Sequence, residues 1–285
     1  MKQIVVISGK GGTGKTTLTS SLVHLAKNRH IADCDVEAPN LSLMLESETI
    51  NKELYIGGKV AKVDENKCAS CGLCKKTCRF DAITEDFKVD PLKCEGCGAC
   101  EYVCPHDAIT MIDDETGHIF TSKTDGGIFS HAELAIGADG AGKVVTEIRK
   151  AVAQRADKDD LVIIDGSPGI GCVVIASLTG CDMAVVVTEP TQSGLSDLKR
   201  VLSLVEHFNM KAYIVINKYD INEEKTKEIE EYCSENGFEV IGKVPFDSSV
   251  NKAIKVNKPV VTFEDSDAGE EIKNVWNILN EKIRR

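Results

Sequence analysis

The chain has 285 residues, of which 42% are hydrophobic and 28% are charged, and its net charge is −11. This length suits one large domain, or one domain that carries a small insertion. An acidic chain is poorly suited to non-specific DNA binding, which needs Lys and Arg against the phosphates, so we expect no nucleic-acid partner. No apolar run resembles a signal peptide or a membrane span, so we predict a cytoplasmic protein with reduced thiols.

Short β-branched runs alternate with helical patterns along most of the chain. The predicted strands are residues 3–8, 161–165, 183–188, 212–217 and 239–244. The predicted helices are residues 15–29, 143–155, 193–208, 223–236 and 269–285. Unbroken apolar strands are typical of a parallel sheet that is buried on both faces. The alternation therefore predicts an α/β fold with a doubly wound, mainly parallel sheet.

The last predicted helix has an apolar face. This face consists of Ile272, Val275, Trp276, Leu279 and Ile283. A membrane-binding helix is the alternative interpretation, but its polar face would be basic, and here the helix is acidic at its start. We expect it to pack against the sheet.

Between residues 63 and 112 the alternation stops and an internal repeat begins. Val63-Asp64 recurs at Val89-Asp90, and the tetrapeptide at residues 81–84 recurs at 107–110, so the period is 26 residues. A two-copy repeat predicts one compact, pseudo-symmetric unit. We therefore predict a main domain of residues 1–62 and 113–285 that is interrupted by an insert of residues 63–112. The polar, Gly-rich residues 116–130 are interpreted as a connector.

A glycine-rich segment follows the first predicted strand and opens the first predicted helix. It runs Gly9, Lys10, Gly11, Gly12, Thr13, Gly14, Lys15, Thr16, Thr17. Glycines let backbone N–H groups wrap a phosphate, and the helix N-terminus adds positive charge. A dinucleotide-binding turn has the same glycine spacing, but it has no use for Lys-Thr at the helix start. The segment therefore predicts a P-loop in which residues 11–17 bind ATP, Lys15 reaches the β- and γ-phosphates, and Thr16 binds Mg²⁺.

Three further positions favour nucleotide hydrolysis. Asp165 ends an apolar strand, where an acid holds Mg²⁺ through its water shell. Asp35 follows the expected second strand and could orient the attacking water, although a helix cap is the alternative. Asn217 ends another strand, where its amide could pair with a purine edge, although a turn residue is the alternative. We predict catalytic roles for Asp35 and Asp165 beside Lys15.

The additional lysine at Lys10 marks a deviant form of the P-loop motif. With it, the chain outside the insert resembles the family of MinD, the partition ATPases, the Mrp-type iron–sulfur carriers and the nitrogenase iron protein. The resemblance implies a nucleotide-dependent homodimer in which Lys10 acts catalytically on the partner's phosphates. It also implies that residues 33–40 and 165–169 are switch segments. Finally, it implies that Asn217 contacts adenine and that Pro245 and Asp247 lie in the loop that closes over the base.

Eight of the 12 cysteines lie in the insert, in two closely spaced motifs. In such motifs three thiolates bind one [4Fe–4S] cluster and the fourth ligates the other cluster. Zinc sites favour two separated pairs of ligands, so zinc knuckles are the weaker interpretation. The first predicted ligand set is Cys68, Cys71, Cys74 and Cys104, and the second is Cys78, Cys94, Cys97 and Cys100.

The insert resembles bacterial two-cluster ferredoxins, which implies a small α+β ferredoxin-like domain. One departure is Arg79, which stands where the first motif usually has Pro.

Four cysteines lie outside the insert. Cys34, Cys181 and Cys233 are interpreted as core or surface thiols. Cys172 lies seven residues after Asp165, and a buried free thiol is its default interpretation. The resemblance to the nitrogenase iron protein implies an alternative, in which Cys172 ligates an additional cluster that bridges the dimer. The paired late cysteines of the Mrp-type carriers are absent, which argues against a carrier.

These features predict an ATPase in which a nucleotide-driven dimer rearrangement is coupled to low-potential electron transfer. Its partners would be a protein electron donor and acceptor. One alternative is a maturation factor that delivers an iron–sulfur cluster or metallocofactor to a target. Another is a positioning ATPase whose insert senses redox state.

Overall fold

The computed structural model describes residues 1–135, 137 and 140–284. Its strands are β1 Lys2–Ser8, β2 Arg29–Asp33, β3 Glu48–Val63, β4 Ile109–Thr124, β5 Gly127–Leu134, β6 Leu161–Pro168, β7 Met183–Thr188, β8 Lys211–Asn217 and β9 Glu239–Val244. Its α-helices are α1 Lys15–Leu25, α2 Leu73–Thr77, α3 Ala99–Tyr102, α4 Ala141–Ala153, α5 Cys172–Leu178, α6 Gln192–His207, α7 Glu223–Glu235, α8 Ser248–Lys255 and α9 Asp267–Ile283.

The strands form one sheet in the order β3-β4-β5-β2-β6-β1-β7-β8-β9. The seven strands β5, β2, β6, β1, β7, β8 and β9 are parallel to one another. Strand β4 is antiparallel to both of its neighbours, β3 and β5. Helices α4 to α7 pack on one face over a continuous apolar core, and α1, α8 and α9 pack on the other. The predicted doubly wound, mainly parallel α/β fold is confirmed.

The last helix packs against the sheet as predicted. Ile272, Val275 and Leu279 are buried in the same apolar cluster as residues of β9. The predicted end of this helix at Arg285 lies outside the described residues. In the part of the chain that the structure describes, no helix is both long and apolar enough to cross a membrane.

The first helix is shorter than predicted, because it ends at Leu25 and Arg29 already belongs to β2. The backbone becomes extended at Ala26, and Asn28 then adopts a left-handed φ of 50°. Asn tolerates that conformation better than most residues, so the chain can turn at Asn28 directly into β2.

The interpretation of residues 116–130 as a connector is wrong, because they form most of β4 and the start of β5. Several of their polar residues are buried, and three hydroxyls bond within the sheet; for example, the Ser130 hydroxyl donates to the Phe120 carbonyl at 3.1 Å. The turn between the strands is Asp125-Gly126, and Thr124 pairs with Gly127 across it. Asp-Gly is a strong two-residue hairpin signal that composition alone obscured.

Strands β3 and β4 continue as a two-stranded ribbon beyond the rest of the sheet. β5 pairs with β4 only from Gly117 to Thr124, whereas β3 pairs with β4 as far as Val63 and Ile109. Because β4 runs against β5, this ribbon leaves from the carboxyl edge of the parallel strands. The P-loop follows β1 at the same edge. The predicted boundaries at residues 63 and 112 lie inside the ribbon strands.

Residues 64–108, at the end of the ribbon, repeat their backbone structure with the period seen in the sequence. The Asp64 N–H donates to the Ala108 carbonyl at 2.7 Å, and the Asp90 N–H donates to the Ala82 carbonyl at 2.7 Å. These bonds are equivalent under the shift of 26 residues, and each joins one copy to the other. Short helices α2 and α3 occupy equivalent positions. The two copies therefore form one interlocked unit.

Candidate nucleotide site and cysteine cavities

The glycine-rich loop between β1 and α1 depends on two left-handed glycines. Gly12 has a φ of 79° and Gly14 a φ of 91°, and L side chains rarely adopt such values. A Cβ atom added at Gly14 would also lie 2.3 Å from Asn217 Nδ2. Cβ atoms added at Gly11 or Gly12 would meet no atom within 4 Å. The loop is thus closed against β8 on one side and open on the side where a phosphate would bind.

Lys15 is the centre of a buried charge cluster. Its Nζ lies 2.8 Å from Asp165 Oδ1 and 3.2 Å from Asp35 Oδ2, and its side chain is 6% exposed. Burial alone lowers the pKa of Lys15, but the two carboxylates outweigh burial and hold the pKa above its ordinary value. The structure therefore brings together Lys15, Asp35 and Asp165, three of the four predicted catalytic residues, with the lysine charged.

Asp165 accepts hydrogen bonds from two hydroxyls of α1. Thr16 Oγ1 donates to Oδ2 at 2.9 Å, and Thr19 Oγ1 donates to Oδ1 at 2.8 Å. Hydroxyl and carboxylate oxygens are the hard ligands that Mg²⁺ prefers, so the pair Thr16 and Asp165 suits that ion. Asp165 does not end its strand as predicted, because β6 continues to Pro168.

Asp33 is a buried acid to which the sequence reasoning gave no role of its own. Its carboxylate accepts hydrogen bonds from the backbone N–H groups of Asp35 at 3.1 Å and Leu41 at 3.3 Å. It also lies beside Asp165 in the register of β2 and β6. Burial, and next the charge of Asp165, raise the pKa of Asp33 well above its usual range. Asp33 thus fixes the loop that presents Asp35 to Lys15.

A cavity of about 220 Å³ opens beside the P-loop. It is lined by Gly12, Gly14, Thr17, Asn217, Pro245, Phe246 and Asp247, among others. The structure therefore places the three predicted base-site residues beside the phosphate loop. Asn217 Nδ2 donates to the Thr13 carbonyl at 2.8 Å, which ties β8 to that loop.

The carboxylate of Asp247 shapes the loop that borders this cavity. It caps α8 by accepting from the Ser249 N–H at 2.7 Å, and it accepts from the Ser266 hydroxyl at 2.7 Å. Phe246, beside it, is 56% exposed.

Lys10 contacts residues of its own chain in this structure. Its Nζ lies 3.1 Å from Ser193 Oγ, 3.4 Å from Thr191 Oγ1 and 3.6 Å from Glu189 Oε2. These partners were not predicted from the sequence. The available signal was the short segment of residues 189–193, which follows β7 and carries all three polar side chains.

Two cavities in the insert are each lined by four cysteines. One is bordered by Cys68, Cys71, Cys74 and Cys104, and the other by Cys78, Cys94, Cys97 and Cys100. These groups coincide with the two ligand sets predicted from the spacing. Among the described residues, no three His, Cys, Asp or Glu side chains are placed to hold a single metal ion. The donor sets suit [4Fe–4S] clusters, whose four thiolates bind separate irons.

The remaining cysteines differ in exposure. Burial raises the pKa of Cys181 and of Cys233 to about 11 and also raises that of Cys34, so these thiols stay protonated at neutral pH. Cys172 is exposed at the start of α5, so its interpretation as a buried thiol is wrong. The first turn of α4 lies against it, since a Cβ at Gly142 would be 3.6 Å from Cys172 Cβ.

The CobQ/CobB/MinD/ParA nucleotide binding domain family matches residues 4–260. An uncharacterised protein of Methanocaldococcus jannaschii is 37% identical over 99% of this chain and 97% of its own length. An iron–sulfur cluster carrier protein of Pyrococcus horikoshii is 24% identical over 99% of this chain and 86% of its own. The structure of septum site-determining protein MinD with Mg-ADP from P. horikoshii covers 99% of this chain and 96% of that one, at a TM-score of 0.59 and 18% identity, which shows the fold.

Proposed function

This chain belongs to the CobQ/CobB/MinD/ParA nucleotide-binding family, and we propose that it is an ATPase that couples nucleotide-driven rearrangement of a homodimer to low-potential electron transfer. One observation carries the proposal. Two four-cysteine cavities lie at the end of a ribbon that leaves the sheet at the edge where the P-loop begins. Two sets of four ligands on the same edge of the sheet as a nucleotide site favour redox chemistry that ATP controls.

At the nucleotide site, the backbone of Gly11, Gly12, Thr13 and Gly14 would surround the phosphates, with Thr17 beside them. The Thr13 hydroxyl is buried and has no hydrogen-bond partner among the described residues, which suits a loop built for a ligand. Lys15 carries positive charge to the β- and γ-phosphates, Thr16 and Asp165 hold Mg²⁺, and Asp35 orients water. Asn217, Pro245 and Asp247 form the site of the base.

In the insert, each cavity would hold one [4Fe–4S] cluster on its four cysteines. When bound, such clusters supply one-electron transfer at low potential. The apolar side chains of Ala61, Ile83 and Ile109 pack in one cluster with the inner cysteines and limit the access of water from that side. Cys71 and Cys97 are exposed. Exclusion of water is one of the ways in which a protein tunes such a site.

Homodimer formation would couple the two sites. Lys10 would reach the partner's phosphates, and the switch segment after Asp165 would move when the γ-phosphate is lost. Cys172 lies three residues after that segment, at the start of α5, with an exposed thiol, where it could ligate an additional cluster shared by two subunits.

A maturation factor that delivers a cluster to a target is the second candidate. The 24% identity with the P. horikoshii iron–sulfur cluster carrier favours it. Against it, Cys233 is the one cysteine that follows residue 181 in the sequence, and it is buried. Transfer of radiolabelled iron from the loaded protein to an apo-acceptor would support this candidate.

The test of electron transfer uses anaerobically purified protein that has been reduced with dithionite and freed of the reductant. Oxidation by a viologen dye is followed by EPR and absorbance, with and without MgATP. We expect ATP to accelerate oxidation in the wild type but not in Lys15→Ala. Equal rates with and without ATP in the wild type would refute the coupling.

A further inference from the structure

Glu189 is the counter-ion of two lysines that belong to different parts of the nucleotide site. It follows β7, and its side chain is only 13% exposed. Lys218 Nζ lies 2.6 Å from Oε1, and Lys10 Nζ lies 3.6 Å from Oε2. A single carboxylate therefore faces both Lys10, at the start of the P-loop, and Lys218, which follows Asn217.

Lys10 is held in this position by more than one group. The hydroxyls of Ser193 and Thr191 accept from its Nζ, and the Thr191 hydroxyl also caps α6 by accepting from the Gly194 N–H at 2.9 Å. The holding groups thus lie on the rigid first turn of a long helix. The Lys10 side chain is 32% exposed, so it can leave this pocket without crossing the core.

Lys218 links Glu189 to the site of the base. Its backbone N–H donates to Asn217 Oδ1 at 3.0 Å, while Asn217 Nδ2 donates to the Thr13 carbonyl. Lys218 itself has a left-handed φ of 54°, which is uncommon for a residue with a long side chain. A purine that binds the Asn217 amide would therefore compete with the hydrogen bonds that the amide makes to Thr13 and to Lys218.

We propose that Glu189 is a positioning residue that retains Lys10 within its own subunit and releases it when a nucleotide-bearing partner docks. The inference rests on the proposed function, in which Lys10 reaches the partner's phosphates. Phosphates carry more charge than one carboxylate and so attract Lys10 away from Glu189. Lys218 stays beside Glu189 after the release, so no buried acid is left unpaired, a state that would be costly.

Substitution of Glu189 and substitution of Lys218, which is the other partner of Glu189, should have opposite effects on dimerisation. Glu189→Gln keeps the size of the side chain but removes its charge, so Lys10 loses its ion pair and is held only by the two hydroxyls. We expect the dimer association constant with adenylyl imidodiphosphate to rise about two- to fivefold, the range typical of a partly exposed ion pair. In Lys218→Met, Lys10 is the one cation left beside Glu189 among the described residues. Lys10 should then be retained more strongly, so the association constant should fall.

Sedimentation over a range of protein concentrations measures the association constant. Nucleotide affinity is measured separately in dilute protein with a fluorescent ATP analogue, so that a change in loading is not mistaken for a change in dimerisation. Glu270→Gln removes the acid of an exposed ion pair with Lys273 on α9 and is the matched control, with no expected effect.

The outcomes separate the inference from the proposed function. A purely structural role for the cluster predicts that Glu189→Gln and Lys218→Met both weaken the dimer, and this result would overturn the inference. So would an unchanged dimer in Glu189→Gln when Lys10→Ala abolishes dimerisation, although the proposed function would then stand. Absence of a nucleotide-dependent dimer in the wild type would refute the proposed dimer, and the inference with it.

Discussion

The nucleotide site and the insert are stabilised in different ways. At the nucleotide site the buried charges are paired within the protein, since Lys15 contacts both Asp35 and Asp165 at the edge of a large parallel sheet. The insert has only a small apolar cluster, and five of the eight cysteines belong to it. We therefore expect the nucleotide site to be preformed by the protein alone, whereas the insert depends on what its cysteines bind.

Loss of one cysteine ligand should have the largest effect, on the iron content and on the stability of the insert. Cys78→Ser should remove up to about four irons per chain and destabilise the copy that holds Cys94, Cys97 and Cys100, because the ligand sets cross between the copies. Iron analysis and hydrogen exchange by mass spectrometry measure this effect. Cys104→Ser is the matched variant and should instead affect the set of Cys68, Cys71 and Cys74.

The crossed arrangement would be refuted if Cys78→Ser exposed residues 68–74 and left residues 94–100 protected. Nucleotide affinity should stay unchanged in both variants. A loss of nucleotide binding would show that the main domain also depends on the insert.

At the nucleotide site, Lys15→Ala should have the next largest effect, on both stability and hydrolysis. It leaves two buried carboxylates without their cation, which costs about 3 kcal/mol in free energy of unfolding, and it removes the charge that stabilises the transferring phosphate. We expect hydrolysis to be lost, as measured by phosphate release, and the midpoint of urea unfolding to fall.

Lys10→Ala is the control for Lys15→Ala, because Lys10 is one-third exposed and contributes little to stability. It should unfold like the wild type but lose dimerisation and turnover. Normal hydrolysis by this variant would contradict the assignment of the deviant P-loop motif.

Asp247→Ala should have a smaller effect that depends on pH. Burial alone raises the pKa of Asp247, but hydrogen bonds, first from Ser249 and then from Ser266, outweigh it and lower the pKa to about 2 from an ordinary 3.8. The ionised carboxylate therefore stabilises the fold above about pH 4, and its contribution is lost as the pH falls toward 2. Loss of this helix cap should cost about 1 kcal/mol at pH 7.

Urea unfolding at pH 7 and at pH 3 checks this dependence, with exposed Asp265→Ala as the control. A deficit of the same size at both pH values would exclude the carboxylate as its source.

Cys172→Ser should have the smallest effect on stability, within about 0.5 kcal/mol, because the thiol is exposed. If Cys172 ligates a shared cluster, the wild-type dimer should hold more than about eight irons per subunit, and the variant should lose only the excess. Iron content and EPR spectra that do not change would show that Cys172 binds no metal. The electron path would then run from the insert directly to an external partner.

The sequence by itself determined the features that depend on local pattern. The P-loop was readable because glycines, a lysine and a threonine must follow one another in it, and the interior strands because they are unbroken apolar runs. The two cysteine sets were readable because the ligand spacing in each motif is short. The same 26-residue period then appeared in the backbone hydrogen bonds of Asp64 and Asp90.

Only the tertiary structure decided which distant groups meet. Residues 116–130 are polar, yet they form strands in which the hydroxyls of Ser122, Thr124 and Ser130 find partners within the sheet, which composition does not show. Asp33, at the end of β2, holds the Asp35 loop, and Glu189, which follows β7, faces Lys10 and Lys218. Only the structure revealed these contacts. Such contacts join residues far apart in the chain, and no local periodicity encodes them because the order of strands in the sheet differs from their order in the sequence.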